Sequence, residues 1–196
     1  MTNYISLLKS KGACKESLEF ARMCNDAKTA WESCTNITWM IWALEGFGKI
    51  DDYKQRMFNC WCIRHTPLVD GRVMWDLLTD ERSRNAVEVA ERFASGNATL
   101  EELNAARDAA WSAYKDKEAW PTSTRATAAK AAALAAVNSR ADPAWDAAID
   151  VSLDDCAVDW TDTVTLNAVM NAVHATQCQE LRRIYGFPFA DLVQQD

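Results

Sequence analysis

Proline and glycine are scarce in this sequence, four and six among 196 residues, and no stretch rich in Ser, Gly or Pro separates two halves. No run alternates β-branched and polar residues with a period of two, which excludes a readable strand pattern. No internal repeat of fixed period stands out either. The longest strongly apolar run, Ile37–Leu44, is far short of the roughly 20 residues needed to span a bilayer. The opening, MTNYISLLKSKGACK, has neither the basic start nor the long apolar stretch of a secretory signal. The expectation is therefore a soluble, cytoplasmic chain. In that compartment its seven cysteines are reduced thiols that pack as small hydrophobes, and their odd number argues against a fully paired disulfide framework.

What the sequence does contain is helix signal, from end to end. With 49% hydrophobic residues the chain is long enough for one substantial core, and residues 1–196 are expected to form a single domain. A first short helix carries Leu18, Arg22 and Cys24 and ends near Asn25-Asp26. A second runs from about Ala27 to Leu44, stopped by Gly46 and Gly48. Its Trp31, Cys34, Ile37, Ile41 and Leu44 recur at helical spacing, and Trp39, Met40 and Trp42 make the opposite face apolar, so this helix should be buried. A third spans Asp51 to about Ile63, and a short one lies around Val73–Leu78. A fifth starts at Thr79 or Asp80 and ends before Gly96. Thr99-Leu-Glu-Glu102 is a capping box that opens a sixth helix to about Glu118, and Pro121 and Asp142-Pro143 mark two further starts. The alanine-rich stretch Ala105–Ala148 reads as a closely packed hairpin, with Trp111, Leu134, Val137 and Trp145 as its larger contacts. The fold class is all-α, a multi-helix bundle with an alanine-rich hairpin.

Catalytic and metal signatures are weak. There is no glycine-rich phosphate loop, no H-E-x-x-H and no G-x-S-x-G. Cys60, Cys62 and His65 lie close in sequence, but no second ligand pair completes a structural zinc site, and the two thiols point to different sides of a helix. Cys60, Cys62 or Cys178 with His65 or His174 would make a Cys–His pair that no motif supports. No catalytic residue, metal or cofactor is assigned, and an enzyme is the less favoured class. Charge is more informative. Asp142, Asp146, Asp150 and Asp154 recur at i, i+4, and with Asp155, Asp159 and Asp162 they put seven negative charges in a window without Lys or Arg. The whole chain is −7, so the rest balances. The window is either a solvated face that aids solubility, or a docking surface for a basic protein or a cation site. An acidic chain without a basic stripe argues against nucleic acid as a partner. In the fifth helix, Arg82 falls on the stripe of Ala86, Val89, Ala90 and Phe93. Arg84, Glu88 and Arg92 lie on another face, spaced for surface ion pairs. An inward arginine must find a carboxylate, such as Asp80 or Glu180, or an anionic ligand. In the second case Arg82, with Trp75, Arg64 or Arg183, would hold a phosphate or carboxylate by bidentate bonds and stacking.

Two segments carry a family resemblance. LLTDERSRNAVEVAERFASGNATLEELNAARDAAW, Leu77–Trp111, and QCQELRRIYGFPF, Gln177–Phe189, together about a quarter of the chain, resemble a family of small helical proteins of phage and bacterial genomes labelled immunity proteins. The matching positions are Trp75, Leu77, Leu78, Asp80, Arg82, Ser83, Ala86, Val89, Ala90, Glu91, Gly96, Leu103, Leu181, Arg182, Gly186 and Phe189. Most of them look like packing and capping, and the family supplies no established catalytic residue. In the second segment Leu181 and Ile184 are the last apolar contacts, Gly186 takes a left-handed stop, and Phe187 and Phe189 fold back onto the bundle. The resemblance implies a conflict-system protein that works by binding, in the host cytoplasm if phage-encoded. Its target would be a small anionic nucleotide-like immune signal, held by Arg82, Trp75, Arg64, Arg183 and Asp80. The alternative is a basic toxin or defence protein, covered by Asp142, Asp146, Asp150 and Asp154. Self-association is left open.

Overall fold

Short polar interruptions, each with a side chain that caps the helix after it, cut the chain into helices. The computed structural model describes residues 4–68, 71–116, 128, 131–133, 135–136 and 163–193. The elements are α1 (Tyr4–Ser10), α2 (Lys15–Met23), α3 (Ala27–Ser33), α4 (Ile37–Gly46), α5 (Asp52–His65), a 3-10 turn (Met74–Leu77), α6 (Glu81–Ala94), α7 (Leu100–Lys115), α8 (Thr163–Tyr185) and α9 (Ala190–Val193). The fold class is all-α. Among the described residues the one extended pairing is an isolated antiparallel bridge between Pro67 and Val73. Two compact units are distinguished, one of residues 1–50 with 178–196, the other of residues 51–177.

In the first unit, a helix α1 precedes those read from the sequence. The long second helix expected over Ala27–Leu44 is two helices, α3 and α4, separated by Cys34–Asn36. The reason is local. Asn36 takes an extended backbone and its side chain accepts from the Trp39 N–H at 3.1 Å, starting a new helix. Trp31, Cys34, Ile37, Ile41 and Leu44 are all buried as their spacing required, together with Met40. Trp39 and Trp42 are half-buried. From α8, Arg182 Nη1 donates to the Cys34 carbonyl at 2.8 Å, satisfying a backbone acceptor that the break exposes. Gly186, at φ 64, ends α8 in the left-handed region. The chain then returns so that Phe189 meets Trp31 edge-on at 5.4 Å and Phe47 at 5.7 Å. The Trp31 indole N–H donates to the Gly186 carbonyl at 2.6 Å.

In the second unit, α5 buries Phe58, Cys60, Cys62 and Ile63. α6 buries Ser83, Ala86, Val87, Val89 and Ala90. The capping box at α7 is complete: Thr99 Oγ1 accepts from the Glu102 N–H at 3.2 Å, and Glu102 accepts from the Thr99 N–H at 2.7 Å. Small residues on α7, Ala106, Ala110 and Ala113, are buried and let α6 and α7 pack closely. α7 stops at Lys115 rather than near Glu118. Trp111, expected as a hairpin contact, is exposed and stacks on Tyr114 at 5.4 Å. Ala128, Ala131, Ala132, Ala133, Ala135 and Ala136 are helical and buried, and the Ala136 carbonyl accepts from Arg56 at 2.9 Å. Pro121, Leu134, Val137, Pro143, Trp145 and the aspartates from Asp142 to Asp162 lie outside the described residues. No helix among the described residues is long and apolar enough to cross a membrane.

Candidate functional site

Trp75 is presented by a connection whose described residues are tied back by backbone hydrogen bonds. After α5, the Met74 N–H donates back to the Thr66 carbonyl at 2.9 Å, and the Leu68 N–H donates to the Arg72 carbonyl at 2.9 Å. The Asp76 carboxylate accepts from the Val73 N–H at 3.0 Å. Met74 and Leu77 are buried on either side of the half-buried indole. Two guanidinium groups then reach this one ring. Arg64, in the last turn of α5, lies 4.1 Å from its centroid, and Arg84, the fourth residue of α6, lies 5.3 Å away. Each contact of this kind contributes about 0.5–2 kcal/mol, depending on desolvation.

The two arginines differ in their partners. Arg64 donates through Nε and Nη2 to both oxygens of Glu91, at 2.6 and 2.8 Å. That bidentate pair raises the arginine's pKa, and the nearby Glu88 adds to the effect. Arg84 makes no ion pair among the described residues, and its Nε is buried without a hydrogen-bond partner. A buried donor left unmade costs on the order of 1–3 kcal/mol. Two buried hydroxyls are also without partners, Thr66 Oγ1 at the end of α5 and Ser83 Oγ in α6. A second cation against one ring, with an unused donor, is suited to a phosphate or carboxylate oxygen.

The residues singled out from the sequence divide. Arg64 and Trp75 come together. Arg82 does not face inward: its side chain is 39% exposed. It lies at the edge of the buried stripe, where Asp80 accepts from its Nε and Nη2 at 3.0 and 2.7 Å. Asp116, at the end of α7, accepts from its Nη1 at 2.9 Å. Asp80 also accepts from the Arg82 backbone N–H at 2.9 Å and so caps α6. These contacts hold the Asp80 carboxyl below its ordinary range and raise Arg82. Arg183 belongs to the other unit, where Glu180 holds it at 2.6 and 2.8 Å. Arg84, Glu88 and Arg92 do not form the expected run of surface pairs, because Arg84 turns to Trp75 and Arg92 pairs with Glu102 at 3.9 Å. Arg84 is the residue the sequence reading assigned to the wrong role, since helical phase alone placed it toward solvent.

Cys60 and Cys178, the candidate nucleophiles raised to high pKa, are not activated. Cys60 is fully buried, and burial first, then the Glu91 charge, push its thiol up to about 12. Burial pushes Cys178 up to about 12 as well, and such a thiol is almost wholly protonated at neutral pH. His65 packs against Trp61 at 5.2 Å. Among the described residues no group of three or more His, Cys, Asp or Glu side chains is placed to hold a metal ion. Comparison of the chain with family profiles, characterised proteins and solved structures finds no match.

Proposed function

We propose that this protein acts by binding, as a conflict-system protein that sequesters a small anionic nucleotide-like ligand, and that Arg64, Trp75 and Arg84 hold the ligand. The observation that carries the reading is Arg84: a guanidinium at an aromatic ring, beside a second guanidinium, with a buried donor unsatisfied. The incoming phosphate or carboxylate would accept from Arg84, while Glu91 keeps Arg64 in place. The resemblance in Leu77–Trp111 supports the conflict-system setting.

Thermal melts with a panel of cyclic and ADP-ribose-type nucleotides test this. A ligand present at a hundred times its Kd stabilises the fold by about 2.7 kcal/mol through mass action. Wild type should gain that shift with at least one nucleotide. Arg84→Ala should melt close to wild type without ligand and lose the shift, because among the described residues it has no ion pair to break, and losing its contact with Trp75 is offset by removing a buried unpaired donor. No nucleotide-dependent shift in wild type would sink the reading.

The second reading rests on charge. The seven aspartates from Asp142 to Asp162 equal the whole net charge of −7, which suits a basic toxin or defence protein as partner. Under it, Asp142→Asn, Asp146→Asn and Asp150→Asn together abolish partner binding and leave the fold intact.

A further inference from the structure

We draw no further inference here: the strongest candidate, the apolar pocket of the first unit walled by α1 to α4 and the returning C-terminal segment, is open to solvent, and nothing in the structure shows what covers it.

Discussion

Arg82 and Arg84 stand two residues apart in α6, yet the first has all three guanidinium nitrogens engaged and the second keeps its buried Nε unpaired. Sequence reasoning favoured Arg82 because it shares a helical stripe with Ala86, Val89 and Phe93. The buried face in fact centres on Ser83, Ala86, Val87 and Ala90, which leaves Arg82 at its rim within reach of two aspartates. Half-exposed ion pairs contribute little, so Arg82→Ala should cost only a small fraction of the stability. Part of that cost depends on pH. Asp80 sits below its ordinary value of 3.8 because Arg82 donates to it. Its contribution is present above that value and is lost as pH falls through the folded-state value. Urea unfolding of wild type and Arg82→Ala should therefore show a stability gap at pH 7 that narrows at pH 3. An equal gap at both values would mean that the variant acts through packing instead.

Helix boundaries were legible where one side chain dictates the cap, and illegible where spacing and capping disagree. Thr99 and Glu102 announce α7 because each satisfies the other's backbone donor, and Gly186 announces the end of α8 because its φ of 64 suits glycine. The break at Cys34–Asn36 was hidden. Trp31, Cys34, Ile37, Ile41 and Leu44 keep one apolar period straight through it, and nothing in that period records that Asn36 prefers its own backbone contact. Trp75 and Arg64 were readable only as members of a basic-aromatic group around Arg82, whereas Arg84 was not, because its partial burial depends on an indole from another element. Asn36→Ala and Thr99→Ala should each cost about 1 kcal/mol, measured as a lower urea midpoint at unchanged slope. A loss under about 0.3 kcal/mol at Asn36 would indicate that tertiary packing, not the cap, breaks the helix.

At the scale of the whole molecule, burial decides which cysteines can react. Cys60, Cys62 and Cys178 are fully buried, whereas Cys14 is exposed. Iodoacetamide at pH 8 should modify Cys14 in the native protein long before Cys60 or Cys178, and fast labelling of Cys60 would contradict the packing of α5. Charge is as unevenly distributed as the thiols, since the residues outside the Asp142–Asp162 window sum to zero. A basic protein and a small anion would consequently be drawn to different parts of the chain. Native mass spectrometry of the protein purified from its host background separates them in one experiment. The account predicts a stoichiometric small anionic adduct on wild type that is missing from Arg84→Ala. A bare chain, or a complex with a basic protein that survives Arg84→Ala, would contradict it.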